Sequence, residues 1–276
     1  MSSASRTAVG VAALRAAHQL FDAEPHILED PIAIQLLEPD VVERLRAAPA
    51  AAVQGAAFFL RSHVVVRSRY AEDCLADAAR RGVGQYVILG AGLDTFAWRQ
   101  PGWAAALQIY EVDQPASQHD KRARLHRAGL ASPPNLRLVP VDFEVEALDA
   151  RLTDAGLDRT RPVFFSWLGV MPYLHEPAID DVLRVIAQGA AGTEVVLSFA
   201  PADDGGGPSR VEQMAAAVGE QFRSHFTPAQ LEEKLRAGGF VDVSFLTPAD
   251  SVARYFAGRD DGLAPPRRTS IARARV

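Results

Sequence analysis

Short apolar runs separated by helical stretches make up most of the chain after residue 84. Five of these runs show no alternation of polar and apolar positions, which is typical of strands buried on both faces of a parallel sheet. They cover residues 85–89, 107–112, 136–141, 163–167 and 195–199. Helical periodicity lies between them, over 115–129, 144–155 and 175–190. This alternation predicts βαβ units that build a parallel sheet.

Two later segments show a different pattern. Residues 241–246 and 269–276 alternate apolar with polar side chains, as half-buried strands do. The long connection between them indicates an antiparallel addition to the parallel sheet. We therefore predict an α/β fold with a doubly wound, mostly parallel, seven-stranded sheet.

The residues before the first strand show helical patterns only. Apolar residues recur at three- and four-residue spacing over 7–22, and helical stretches also cover 40–48 and 54–81. The sequence thus predicts an N-terminal helical cap ahead of the sheet. After the fifth strand, three consecutive glycines at 205–207 form either the hinge of a lid or a plain surface loop.

Composition excludes several kinds of partner and site. The 276-residue chain has a net charge of −5 and no block of consecutive Lys or Arg, which argues against nucleic acid. No run of eighteen apolar residues is present, so we expect no membrane partner. The one cysteine, Cys74, rules out an intrachain disulfide and a thiolate metal site, and favours a cytoplasmic protein.

The first predicted strand runs directly into Gly90-Ala-Gly92-Leu-Asp94. Glycine allows a tight turn and a close approach of the backbone to a ligand. Ligands of open parallel sheets lie at the carboxyl ends of the strands, where this loop falls. A pyrophosphate would be repelled by the carboxylate of Asp94, whereas the ammonium of an amino-acid group would be attracted to it. The loop therefore favours a nucleoside cofactor with an amino-acid arm over a dinucleotide.

Acidic residues also end the next two strands. Glu111 and Asp113 close the second, and Asp113 stands 21 residues after Gly92, where a carboxylate binds the ribose hydroxyls of a nucleoside cofactor. Asp142 and Phe143 close the third strand. We expect Asp142 to accept the adenine amino group and Phe143 to cover the ring, although Asp142 is also placed to cap a helix.

These motifs together resemble the leucine carboxyl methyltransferase-like family of class I S-adenosylmethionine-dependent methyltransferases, especially its bacterial members. The resemblance covers nearly the whole chain and includes the following segments: Arg67-Ser-Arg69-Tyr70, Leu89-Gly-Ala-Gly-Leu-Asp-Thr95, Glu111-Val-Asp113-Gln-Pro115, Asp142-Phe143, Ser166-Trp-Leu-Gly-Val170 and Tyr255-Phe-Ala-Gly-Arg259. It implies S-adenosyl-L-methionine as the cofactor and a Rossmann-like fold.

The resemblance also implies residue roles. Arg67 matches the position that binds the cofactor carboxylate, which a guanidinium suits through two parallel hydrogen bonds. Leu168 departs from the family, which often carries Glu at this point. Backbone carbonyls from Ser166 to Gly169 are then expected to bind the cofactor ammonium. On this basis residues 1–82 form the cap with its carboxylate-binding helix, and 83–276 form the cofactor-binding domain with a lid insertion near 200–226.

The expected activity is O-methylation of a carboxylate or hydroxyl on a small molecule, in secondary metabolism. The acceptor is expected to meet the N-terminal helices, Tyr173 and the segment 200–226. No spacing selects a general base among His18, His63 and His175, so the catalytic residues stay unassigned, and no metal is expected. Two alternatives stay open: a cofactor-binding protein repurposed as a cyclase or regulator, and an NAD(P)-dependent dehydrogenase.

Overall fold

One seven-stranded sheet organises the protein, whose computed structural model describes residues 6–47, 55–202 and 209–276. Its order is β3-β2-β1-β4-β5-β7-β6, and only β7 runs antiparallel to its neighbours. The strands are β1 (Gln85–Leu89), β2 (Gln108–Asp113), β3 (Leu136–Pro140), β4 (Val163–Trp167), β5 (Glu194–Ser198), β6 (Asp242–Phe245) and β7 (Ile271–Arg275). The predicted seven-stranded, mostly parallel α/β fold is confirmed.

Helices cover both faces of this sheet and the end at which β1 finishes. They are α1 (Arg6–Phe21), α2 (Pro39–Ala47), α3 (Gly55–Arg80), α4 (Phe96–Arg99), α5 (Pro115–Arg127), α6 (Leu148–Asp154), α7 (Glu176–Ala187), α8 (Arg210–Ala217), α9 (Pro228–Ala237) and α10 (Pro248–Ser251). A π-helical turn, Val252–Phe256, follows α10 directly. The sequence pattern had predicted the longer helices to within a few residues, but not α4 or α10.

The central strands are buried on both faces, as their unbroken apolar runs predict. Every residue of β1, β4 and β5 is buried. Successive residues of β1 enter opposite cores: Val87 packs in one cluster with α7, and Ile88 in a second cluster with α3. This double coverage leaves only the strand ends open to a ligand.

The N-terminal helices share their core with the sheet. Val65 and Leu75 of α3 pack in the same apolar cluster as Ile88 and Phe164. α1 packs through Ala12 and Ala16 in a third cluster that includes Leu93 of the glycine loop. The cap therefore lies against the sheet and its loop, while the functional division at residue 82 stays a prediction.

Two predicted boundaries were wrong for physical reasons that the structure reveals. The helix expected from residue 144 begins at Leu148, because Asp142 accepts the backbone N–H of Glu144 (3.0 Å) and holds a turn there. β5 begins at Glu194 rather than at Val195. Glu194 is fully buried, and Arg273 neutralises its carboxylate from the neighbouring strand β7 (2.6 Å).

Candidate functional site

A cleft of about 660 Å³ opens at the carboxyl ends of β1, β2 and β4. Its rim comes from α1, from α3 and from the segment 218–223 that follows α8. Most of the residues predicted from sequence line it: Arg67, Gly90, Gly92, Asp94, Asp113, Phe143 and Ser166. Two strand ends, near residues 90 and 113, therefore converge on one cavity, as the motif analysis expected.

The glycine loop is shaped for close packing. Gly90 and Gly92 have φ values of +66° and +49°, which side chains other than glycine rarely adopt. A Cβ at Gly90 would collide with Val170, and one at Gly92 would lie 3.2 Å from the Cβ of Ala8. The loop is thus confined between β4 and α1, with its backbone facing the cleft.

Asp113 is tied to this loop through the backbone. Its carboxylate accepts the N–H of Gly92 (2.5 Å) and the N–H of Gln114 (2.7 Å). Burial raises the pKa of Asp113, and the two backbone donors oppose that rise. Each carboxylate oxygen keeps further acceptor capacity towards the cleft. The geometry suits the predicted role of holding ribose hydroxyls.

Asp94 turns the chain after the loop. Its Oδ1 accepts the backbone N–H of Phe96 (2.8 Å) at the start of α4, and its side chain also lines the cleft. The neighbouring carbonyl of Leu93 accepts a hydrogen bond from Arg15 (2.5 Å), whose guanidinium is also bound to Asp30 (2.7 Å). The buried ion pair between Arg15 and Asp30 of the cap therefore holds the glycine loop in place.

Arg67 is a buried cation whose Nε atom has no acceptor among the described residues. It is only 9% exposed, and its guanidinium fills the space that a side chain at Gly169 would need, 2.6 Å from an ideal Cβ. Burial lowers the pKa of Arg67 to about 10, with the charge of Arg15 acting in the same direction, so it stays protonated at neutral pH. Such a group requires an anion, which the carboxylate of an amino-acid arm would supply.

Ser166 and Leu168 form the β4 side of the cleft. The hydroxyl of Ser166 forms a hydrogen bond with that of Tyr86 (2.9 Å), which does not line the cleft. The N–H of Gly169 is taken by Ser198 (2.8 Å), which fixes the turn after β4. Leu168 offers only apolar surface in the position where the family often has Glu, so the backbone stays the predicted partner of an ammonium group.

Glu111 lies outside the cleft, although it was predicted to belong to the site. Its carboxylate is buried and paired with Lys121 of α5 (2.5 Å), while its Oε1 atom has no hydrogen-bond partner among the described residues. Burial raises the pKa of Glu111 to about 7 against the opposing effect of Lys121. Glu111 therefore contacts α5 through Lys121, and its role in cofactor binding stays a prediction.

The two residues after β3 separate in the structure. Phe143 lines the cleft, whereas Asp142 does not and instead stabilises its own turn. The backbone N–H of Asp142 is bound by Glu146 (2.8 Å). Phe143 stays a candidate for covering the adenine ring because it lines the cleft, whereas Asp142 holds a turn and does not cap α6, whose N-cap is Ala147.

Three polar residues at the mouth of the cleft were not recognised from sequence as a connected group. Glu220 accepts the backbone N–H groups of Arg6 (2.8 Å) and Thr7 (3.2 Å) and the Thr7 hydroxyl (2.5 Å). Tyr173 shares a hydrogen bond with Thr7, and burial raises the pKa of its phenol. No local pattern signals this closure, because Glu220 lies more than two hundred residues from its partners.

None of the three candidate histidines is placed as an unambiguous base. His18 bonds Asp22 (2.6 Å) and accepts the N–H of Ile27 (3.1 Å), so both ring nitrogens are occupied far from the cleft lining. His63 lies beside Arg67, and burial lowers its pKa to about 3. His175 contacts Arg223 through Nε2. The glycines 205–207, proposed as a hinge, fall outside the described residues.

The residues present fit the expected cofactor. Arg67 is a candidate to bind the cofactor carboxylate, and Asp113 at the end of β2 a candidate to bind the ribose diol. Phe143 lines the same cleft and is a candidate to cover the adenine ring. Among residues 6–47, 55–202 and 209–276, no cluster of His, Cys, Asp and Glu is suited to hold a metal ion. No helix in those same ranges is long and apolar enough to cross a membrane.

Comparison with known proteins agrees with this geometry. A leucine carboxyl methyltransferase family model matches residues 8–187. "Putative S-adenosyl-L-methionine-dependent methyltransferase YktD" of Bacillus subtilis is 34% identical over 239 residues, covering 84% of this chain and 78% of that protein. A second relative, "Putative S-adenosyl-L-methionine-dependent methyltransferase" of Mycobacteroides abscessus, is 34% identical over 221 residues. The match covers 79% of this chain and 70% of that protein.

Solved structures share the fold at lower sequence identity. A DUF574 family protein from Streptomyces avermitilis superposes with a TM-score of 0.60 at 19% identity, covering 99% of this chain and 97% of that one. A methyltransferase-like structure from Thermobifida fusca gives 0.58 at 17% identity, with 99% and 95% covered. With the family match and these relatives, the chain belongs to the leucine carboxyl methyltransferase family and is an S-adenosylmethionine-dependent methyltransferase.

Proposed function

We propose that the protein transfers the methyl group to an oxygen atom, a carboxylate or a hydroxyl, of a small molecule. The observation that carries this proposal is the closure of the cleft mouth by Glu220, which joins α1 to the segment 218–223. The cleft, which would hold the cofactor and the acceptor together, has a volume of about 660 Å³, within the usual range for small-molecule sites. A mouth narrowed by this contact favours a small acceptor over the surface of a folded protein.

The contribution of the chain to the reaction is alignment. When bound, S-adenosylmethionine supplies an electrophilic methyl group. Arg67 would hold the amino-acid carboxylate and Asp113 the ribose, and Tyr173 and α1 line the same cleft. Holding two reactants in line accounts for a large share of the rate in such reactions.

An easily ionised oxygen is our proposed acceptor, because none of the three candidate histidines is placed as an unambiguous base. A carboxylate attacks without losing a proton, and a phenol is deprotonated more easily than an alcohol. Burial raises the pKa of the Tyr173 phenol, so it keeps its proton at neutral pH and is not assigned as a base. These properties support a carboxylate or an acidic hydroxyl as the methyl acceptor.

The alternatives differ in their products. The family match favours methyl transfer over hydride transfer to a nicotinamide. A cyclase or regulator would bind the cofactor without forming S-adenosylhomocysteine. We place the reaction in secondary metabolism by analogy, and in the cytoplasm because the single cysteine, Cys74, is a buried free thiol.

The test is a search for the methylated product. The protein is incubated with methyl-labelled S-adenosylmethionine and pools of small acids and phenols, and labelled products are identified by mass spectrometry. Products that lose the label in mild base are esters, and those that keep it are ethers. Labelled amines or thioethers, or no product from any pool, would overturn the proposal. An Arg67→Met variant gives the background.

A further inference from the structure

Arg223 is an exposed residue that lines the mouth of the cleft, on the segment 218–223. The backbone of this segment is fixed: the N–H of Arg223 donates to the carbonyl of Pro172 (2.7 Å), and the buried hydroxyl of Ser224 donates to the carbonyl of Met171 (2.9 Å). Next to it, Phe222 packs edge-on against the ring of Tyr173. The guanidinium is therefore carried by a held backbone at the acceptor side of the cleft.

No carboxylate among the described residues neutralises Arg223. Its guanidinium contacts the Nε2 atom of His175. Both acids nearby are engaged elsewhere: Glu220 binds the first turn of α1, and Glu144 accepts the backbone N–H of His175 (3.2 Å). Glu220 and Glu144 thus bind backbone N–H groups, and neither is paired with the guanidinium of Arg223.

A second cation lies on the same rim. Arg6 lines the cleft, and its backbone N–H donates to Glu220. Its guanidinium makes no ion pair with a described residue. Arg67 is the partner expected for the cofactor carboxylate, so Arg6 and Arg223 are the cations that remain for an acceptor. Two guanidinium groups at one end of a cleft favour an anionic ligand.

We propose that Arg223, assisted by Arg6, forms a subsite that binds an anionic group of the methyl acceptor, a carboxylate or a phosphate. This inference rests on the proposed function and narrows it to charged acceptors. The subsite lies at the mouth of the cleft, apart from Arg67, and positions the acceptor by its anionic end. A guanidinium suits either oxyanion because its fork of donors matches two oxygens at once.

The test measures binding without turnover. Protein saturated with S-adenosylhomocysteine, which occupies Arg67, is titrated by calorimetry with benzoate, phenyl phosphate and benzamide. We expect at least one anion to bind about tenfold more tightly than the neutral amide. The preference between benzoate and phenyl phosphate identifies the oxyanion. Equal binding of the amide, or no anion binding at millimolar concentrations, overturns the inference.

Substitution locates the subsite. Arg223→Gln should abolish most of the anion preference while S-adenosylhomocysteine binds as in the wild type. The matched control is Arg184→Gln, which removes an exposed arginine of α7 that is paired with Asp181 outside the cleft. An unchanged preference in Arg223→Gln overturns the inference even if methyl transfer to oxygen is found. Failure of oxygen methylation with an intact anion preference would instead overturn only the proposed function.

Discussion

The two ends of the cleft are built in different ways. The cofactor end consists of strand ends, glycines and buried side chains: Asp113 accepts the backbone N–H of Gly92, and the guanidinium of Arg67 packs beside Gly169. The acceptor end consists of α1 and the segment 218–223, which meet through Glu220. One end is rigid because the sheet fixes it, and the other depends on a contact between distant parts of the chain. We therefore expect the sheet end to serve the cofactor and the contact through Glu220 to shape acceptor specificity.

The largest effect is expected at Arg67. Arg67→Met should weaken S-adenosylhomocysteine binding about a hundredfold, because a two-bond ion pair with the carboxylate is lost. The same change should stabilise the ligand-free protein, since it removes a buried cation whose Nε atom finds no hydrogen-bond partner within the described part of the chain. Calorimetry and urea unfolding measure the two effects.

Arg69 supplies the matched control for this prediction. It lies on the same helix but is 44% exposed and paired with Asp73. Arg69→Met should leave cofactor affinity within about twofold of the wild type. Equal losses in the two variants would remove Arg67 from the cofactor end.

A pH effect should follow from His63. Its pKa is about 3 in the folded protein, whereas an unfolded imidazole has a pKa of about 6.5, so the unfolded state binds more protons between these values. Stability should therefore rise with pH over this window. His63→Gln should remove up to about 2 kcal/mol of the difference in unfolding free energy between pH 5 and pH 7.5. Urea unfolding at both pH values checks this, and identical pH profiles would contradict it.

Alanine substitutions at Asp113 and Asp142 should differ in their effect on S-adenosylhomocysteine affinity. Asp113→Ala should weaken S-adenosylhomocysteine binding about tenfold through loss of a charge-assisted ribose contact. Asp142→Ala should have a smaller effect, because its carboxylate holds a turn outside the cleft lining. Calorimetry ranks the two, and a larger loss in Asp142→Ala would restore it as an adenine ligand.

The smallest effect is expected at the closure. Glu220→Gln weakens the cap on α1 by roughly 1 kcal/mol, so the amides at Arg6 and Thr7 should exchange about fivefold faster. Hydrogen exchange read by mass spectrometry measures this. Glu232→Gln, on the exposed face of α9, is the control. Cofactor affinity should not change, and a strong loss would show that the two ends are not independent.

The sequence predicted the sheet and the cofactor end well for the same reason. Apolar runs that stop at Gly90 or at Asp113 mark strand ends, and strand ends are where such a fold places its ligands. The fold class and the cofactor are confirmed by the family match, whereas the roles of individual site residues stay predictions.

What the sequence could not predict depends on contacts between distant segments. Glu194 is polar by type yet lies buried in β5, because Arg273 of another strand neutralises it. Arg15 reaches the loop carbonyl of Leu93 from a helix that local periodicity describes only as amphipathic. The pairing of Glu220 with Thr7 likewise has no local signal. Each of these required a tertiary structure.

The missing side chain of Gly169 has a consequence for evolution. The guanidinium of Arg67 occupies the volume in which even one methyl group at position 169 would have to fit, and the φ of +75° there already favours glycine. A side chain at position 169 would have to displace the guanidinium of Arg67, whereas position 67 can become smaller on its own. Among descendants of this protein, a bulkier residue at 169 should appear together with a shorter one at 67, and such lineages should have lost or replaced the use of a cofactor with a free carboxylate.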